Sequence, residues 1–453
     1  MGSDIGRQLP RFIVETRYED LPSDVIEFTK GLALKTVAGI TVGSTMPAGR
    51  KIYRVMRERR ELPDVGVIGC GFKTSLWNAA FSHAFFAHAT ELEDDKFENG
   101  FAWDITTFPL LFPLAEKLRL SGRDFIEASA IGLETDARVC MFYPAHRGLG
   151  AVPGAMAPAA AAAKALKLNV GETVAALGMA MSGSDVSFPN IGTDAHFFES
   201  SLQCLQGLMS AELAREGLTG NPDIAAYLTK LLGEDNVKPE RIVEKLGEEW
   251  LFRDIWVKKY PCCFLTHRQI DALLELIGRY KLSYEQIAEV EAHAGPVDFE
   301  ICSRPDPKTI VDFQFSYQHV LAAAMLDRDV NFSHLTPEFI SDAKFREARS
   351  KVKLVLHQDW PAHYNSGIAH VLVKLKNGKE FAMDRSYPIG SREEPLTREQ
   401  FKSLYLKFVR GIVPEYQMEK IAEAILNLEK LSDMEEIIDL LTFRHKMGFL
   451  NMS

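Results

Sequence analysis

Three stretches of this 453-residue chain gather side chains that can move protons or hold anions. The first, His88-Ala-Thr-Glu-Leu-Glu-Asp-Asp95, places Glu91, Glu93, Asp94 and Asp95 at the end of a helical run. Carboxylates so crowded repel one another, and proximity or burial raises the pKa of at least one, which tunes it for acid–base work or for holding a cation. The alternative is a solvated helix terminus, the usual setting of a charge run. The second stretch, Ser187-Phe-Pro-Asn-Ile-Gly-Thr-Asp-Ala-His196, is a turn containing Asn190 and Thr193 that opens a helix with His196 near its start. A helix N-terminus offers free N–H groups and the positive end of its dipole, which suits a substrate carboxylate; a plain capped loop is the other reading. The third, Val257-Lys-Lys-Tyr-Pro-Cys-Cys-Phe-Leu-Thr-His267, crowds Lys258, Lys259, Cys263 and His267 into a Pro-containing loop. Lysines bind carboxylates or, when desolvated, remove protons, and a Cys beside Lys can have a depressed pKa. Adjacent cysteines seldom chelate one ion, so no metal is expected there.

These stretches need scaffolding, and most of the chain reads as helix. Apolar residues recur at helical spacing over residues 22–42, 75–93, 109–118, 122–142, 158–168, 170–182 and 199–216, with Ser23-Asp24 as a plausible N-cap pair. Nothing in that half alternates like a strand. The Ala-rich run 155–164, with Pro158 in its first turn, predicts close helix–helix packing rather than chemistry. After Pro261 the pattern changes. A helix over 270–280 is followed by alternation at 287–293, 351–357 and 370–376, the last ending at an Asn377-Gly378 turn before 381–383. Helical periodicity resumes near Thr397, followed by Glu399, and runs through Leu440. The expected fold is mainly α: a large all-α domain from residues 1–267 and 392–453, with a smaller α+β lid-like domain at 268–391. The third stretch falls at their junction, and ligands favour such interfaces.

Composition narrows the function. A net charge of −10 without a Lys/Arg run excludes the footprint of a nucleic-acid binder, and an anionic substrate would need a local basic pocket. Six dilute cysteines fit a reducing cytosol better than a disulfide framework. No signal peptide and no span-length apolar run is read, so a soluble cytoplasmic protein without membrane association is expected. The fingerprints of nucleotide binding, zinc proteases and serine hydrolases are missing.

Lys258-x-Tyr260-Pro261-x-Cys263-x-x-Thr266-His267-x-x-x-Asp271-Ala272, the Asn190-x-Gly-Thr193 turn, the stretch from Phe315-Ser to Leu326 and the acidic segment after His88 occur in that order over nearly the whole chain. Together they resemble the MmgE/PrpD family, which includes 2-methylcitrate dehydratase, cis-aconitate decarboxylase and iminodisuccinate epimerase. The resemblance implies a two-domain homodimer with its active site between the domains and no metal or other cofactor. It also implies proton removal next to a carboxylate, or loss of CO2, through an enolate-like state. The sequence departs from the family pattern in several places. Glu91 and Asp95 stand where an aspartate and a threonine are usual, Ala102-Trp103-Asp104 replaces His-Pro-Gly, and Gly150 replaces a second histidine. His196 takes the place of a lysine. Tyr143, His146 and Arg147 lie close to the lost positions and are candidates to serve instead, or to play a structural part at a helix end.

The expected enzyme acts on a small di- or tricarboxylate. It is read as a lyase, with an epimerase or a non-catalytic carboxylate binder as alternatives. His196 is the expected base or acid, near neutrality with an ordinary pKa of ~6.5, and Lys258 the partner of a carboxylate or enolate. Asp94, Cys263 and His146 complete the catalytic candidates. Glu91, Asp95, Tyr143, Arg147, Asn190, Thr193, Lys259 and His267 are expected to bind substrate.

Overall fold

The computed structural model describes residues 5–96, 101–102, 104–140, 154–182, 190–221, 223–234, 238–360 and 369–443. Its helices begin with α1 (Ile5–Glu15), α2 (Ser23–Gly43), α3 (Pro47–Arg59), α4 (Leu76–Ala89), α5 (Asp104–Leu118) and α6 (Gly122–Cys140). They continue with α7 (Met156–Ala165), α8 (Val170–Ala180), α9 (Asp194–Arg215) and α10 (Ile224–Leu232). The apolar periodicity finds α2 and α4–α9 to within five residues at either end, whereas α1, α3 and α10 are not among the runs it marks. The expected Ser23-Asp24 cap is not used: Ser23 already lies in the helix, and Pro22 stands before it.

α2 and α7 are apolar on nearly every side and buried accordingly, the pattern of a helix central to a bundle. Small residues set how closely the bundle packs. A Cβ on Gly43 of α2 would lie 1.8 Å from the Phe86 carbonyl of α4, and one on Gly132 of α6 would meet the Ala157 carbonyl of α7 at 2.9 Å. The Ala-rich run is therefore packing surface, as its composition predicts.

Short strands do occur in the first part of the chain. β1 (Val65–Gly66) pairs with β2 (Lys73–Thr74), and β3 (Asp95–Lys96) lies between β4 (Phe101–Ala102) and β5 (Ile255–Trp256). Two residues are too few for alternation to be seen, which is why the sequence hides them. β3 and β5 join segments about 160 residues apart, with Asp95 opposite Trp256.

The alternating segments form a four-stranded sheet in the order β7 (Val352–Leu356), β6 (Ile287–Ala294), β8 (Ala369–Leu375), β9 (Glu380–Arg385). β6 and β7 are parallel and the other pairs antiparallel. The β8–β9 turn uses Gly378 at φ +82°, and the Lys379 N–H donates to Asn377 Oδ1 over 3.1 Å. α11 (His267–Tyr280) packs on β8 and β9, while α14 (Tyr317–Asp327) packs on α11 and β7. Shorter helices α12 (Pro296–Cys302), α13 (Ile310–Gln314), α15 (Pro337–Ser341) and α16 (Ala343–Ser350) complete this part.

Two apolar cores result. One runs from Trp256 to Leu375, and the other combines α1–α9 with the C-terminal helices α17 (Arg398–Val409), α18 (Glu415–Leu426) and α19 (Glu435–Leu441). α17 and α18 pack on α2, and α19 on α5. The capping box of α17 pairs Thr397 with Gln400, three residues on, not with Glu399. The chain is thus mainly α with a small α+β part, and no described helix is long and apolar enough to cross a membrane.

Candidate active site

α4 ends at Ala89, and the chain turns inward at Glu91, whose φ of +53° lies in the left-handed region. For a residue with a Cβ that conformation costs roughly 1–2 kcal/mol, and strain of this kind collects at functional sites. The turn carries Glu91, Glu93, Asp94 and Asp95 into the interior, each at most 6% exposed. The solvated-terminus alternative is therefore excluded.

Two buried lysines meet these four acids. The Lys258 ammonium, just beyond β5, lies 3.3 Å from Glu91 Oε2 and 3.5 Å from Asp95 Oδ2, and bonds directly to Glu93. Lys35 of α2 pairs with Asp94 and stands 3.8 Å from Asp104 Oδ2. The backbone N–H groups of Asp94 and Lys258 donate to Asp104 Oδ1 and Asp94 Oδ1, each over 2.9 Å, which ties the acidic turn to the lysine strand. Asp94 thus serves the junction, one layer away from the group around Lys258.

Burial splits the acids into distinct states. Burial, and then the charge of Glu93, raises Glu91 well above the carboxylate range against the pull of Lys258, so Glu91 keeps its proton. Glu93 meets the same burial but is lowered to about 2 chiefly by Lys258, so it is ionised. Asp95, raised by burial and only partly offset by Lys258, reaches about 7. Burial disfavours the Lys258 ammonium, yet Glu93, Asp95 and Glu91 together raise it well above its usual value. The three carboxyl groups thus favour the ammonium form of Lys258, which suits it to pair with a carboxylate or enolate rather than to take a proton.

Two histidines face the Glu91 carboxyl. One ring nitrogen from each of His88 and His196 and one Glu91 oxygen all lie within 4.8 Å of one another, and the two rings meet edge to face at 4.4 Å. Each ring is oriented through Nδ1. Ser200 Oγ, 3.1 Å from His88 Nδ1, donates its own hydrogen to the Phe197 carbonyl at 2.9 Å, so it accepts from His88 Nδ1–H. His88 is held neutral, lowered to about 3 by burial and by His196. His196 Nδ1 lies 3.4 Å from Glu199 Oε2, and Asn190 Nδ2 donates to the other Glu199 oxygen at 2.5 Å. With Nδ1 of each ring engaged, Nε2 is the nitrogen left to exchange a proton or accept a bond.

The other expected residues are dispersed. Thr193 caps α9 by accepting from the Ala195 N–H at 3.2 Å. Lys259 donates to Asp271 at 2.7 Å, and Tyr260 donates to the same oxygen at 2.8 Å. Burial, then Lys258, holds His267 well below its usual pKa, and its Nε2 donates to the Cys262 carbonyl at 3.2 Å. Cys263 is buried, with its N–H on the Gln314 carbonyl at 2.9 Å. Tyr143, His146 and Arg147 lie outside the described residues. Structure adds His88, Glu93, Glu199, Ser200, Lys35 and Asp104. The Glu199 signal was readable as an acid three positions after His196 on one helix face, and Lys35 as a lone charge in the apolar run of α2.

A cavity of 530 Å³ elsewhere, lined by residues including Asp329, Ser333, Lys407 and Arg410, has its Asp329 and Lys407 paired and lacks an acid–base set.

Comparison with known proteins gives matches to two family models, the MmgE/PrpD N-terminal domain over residues 7–229 and the MmgE/PrpD C-terminal domain over 260–430. The chain is similar to the cis-aconitate decarboxylase-like protein oryM of Aspergillus oryzae, 25% identical over 97% of each chain. It is also similar to the cis-aconitate decarboxylase of Aspergillus terreus, 25% identical over 93% of each, and to that of Homo sapiens, 26% identical over 80% of this chain and 79% of the relative.

Proposed function

Because the chain belongs to the MmgE/PrpD family, we propose that it is a lyase that breaks a carbon–oxygen or carbon–carbon bond of a small di- or tricarboxylate. The observation that carries this reading is the meeting of a protonated acid, Glu91, a histidine nitrogen of His196 and the ammonium of Lys258 in one buried site. In a dehydration, His196 Nε2 takes the proton next to a carboxylate, Lys258 stabilises the enolate charge, and Glu91 protonates the departing hydroxyl as water. In a decarboxylation, the electrons of the breaking C–C bond pass into the same enolate, and Glu91 returns a proton to carbon. Asp95, poised near neutrality, recharges Glu91 or donates in its stead. Such groups contribute about 10²–10⁴ each, and buried charge stabilisation adds more. The reading needs no metal and no cofactor.

A shared site argues for a lyase over an epimerase. Groups flanking one carbon from opposite faces at ~3–3.5 Å each would stand ~6–7 Å apart. His196 and Glu91 are within 4.8 Å. A binding-only homologue would keep Lys258 with no polar group across from it, and the two histidines beside Glu91 count against that. The names of the relatives favour decarboxylation. We further propose a cytoplasmic homodimer whose inserted domain, residues 268–391, closes over the substrate. Product analysis after incubation with cis-aconitate, 2-methylcitrate or iminodisuccinate tests the reading. CO2 or water release supports it, whereas inversion at carbon without either supports the epimerase.

A further inference from the structure

We propose that His88, Glu91 and His196 also bind one divalent transition-metal ion of the zinc or cobalt kind, in competition with substrate. Two histidines and a carboxylate are a borderline-soft donor set suited to such ions. Their donor atoms lie within 4.8 Å of one another, and ligands around one tetrahedral ion at ~2.0–2.1 Å stand ~3.3 Å apart, so modest side-chain movement closes the set. Among the described residues no other group of three His, Cys, Asp or Glu side chains has this geometry.

The independent observation is the outer layer. A metal-bound histidine typically donates its other N–H to an oxygen that fixes the ring. His88 Nδ1 does so to Ser200, and His196 Nδ1 to Glu199, itself held by Asn190. In each ring the engaged Nδ1 leaves Nε2 as the nitrogen that can ligate. Glu91 supplies an oxygen that receives no hydrogen bond, Oε1, in a side chain 1% exposed. The ion then occupies the lone pair and the acid on which turnover depends. That inhibition rests on the reading of His196 as base; the binding does not.

The test uses chelator-treated full-length protein titrated with Zn²⁺ by calorimetry and with Co²⁺ by visible absorption. One ion per chain is expected, with the strong d–d bands of a four- or five-coordinate site. Glu91→Gln and His196→Ala should each weaken binding at least tenfold, and Glu199→Gln or Ser200→Ala about 10–100-fold. Thermal unfolding confirms that each variant is folded. Zn²⁺ should raise the apparent KM reversibly. Absence of a stoichiometric site, or equal affinity in the folded Glu91→Gln and His196→Ala proteins, overturns the site. Tight binding that leaves turnover untouched overturns the competition, and with it His196 as base.

Discussion

Lys258 draws its importance from what surrounds it. It is 1% exposed, and beside it Glu93 is ionised while Glu91 is not. Removing the ammonium by Lys258→Met strands the Glu93 charge, which should cost about 3–5 kcal/mol of stability in denaturant unfolding. Loss of activity in that variant is therefore ambiguous, whereas His196 is partly exposed and its loss should spare the fold. His196→Ala should lower kcat/KM about 10²–10⁴-fold. Asp95 predicts a pH effect. Its folded pKa of about 7 lies above the ordinary value, so the protonated form needed for donation disappears as pH rises through about 7. Activity should fall on that limb, and Asp95→Asn should remove the limb from the pH profile. Stability has the same sign: Asp95 favours the fold fully below its ordinary pKa, and that contribution is lost as pH rises through about 7. At this scale residue type and motif single out Lys258, His196, Glu91 and Asp95, and the structure brings Glu91 beside Lys258, Asp95 and His196. The sequence leaves a trace of Glu199, three positions after His196, but not of Ser200, because that contact depends on which side of α9 faces α4.

Elements hold these groups in register through close backbone approach. α2 and α4 touch where Gly43 meets the Phe86 carbonyl, two residues before His88. Gly43→Ala forces that contact apart and should destabilise the protein by about 1–3 kcal/mol, read as a lower denaturation midpoint, with a loss of activity in the protein that remains folded. Arg138 plays a comparable part on α6. Its guanidinium donates to the carbonyls of Ile242, Glu244, Lys245 and Glu249 while pairing with Glu134 at 2.6 Å, which fastens the segment leading to β5. Most of the long helices and the four-stranded sheet are legible from the spacing of their apolar residues. The β3–β5 pairing is not: two-residue strands joined across some 160 positions leave no local pattern, yet they bring Asp95 to the lysine strand.

At the scale of the molecule, the chain ends complete one core. α17 and α18 cover α2, the helix that carries Lys35. A chain cut after residue 391 should therefore lose the cooperative unfolding transition of the full chain, and supplying residues 392–453 as a separate segment should restore it. The return of the C-terminal helices is legible because helical periodicity resumes at Thr397 after an α+β stretch; which helix they cover is not, since α2 looks apolar on every side. The central claim concerns carbon acidity. It is tested most directly by proton NMR in D2O with cis-aconitate and related polycarboxylates, comparing the wild type with folded His196→Ala. The account predicts that the wild type exchanges or eliminates at the carbon next to a carboxylate and that His196→Ala slows this at least 100-fold. Unchanged exchange in the variant, or none with any acid that the folded wild type binds, would contradict it.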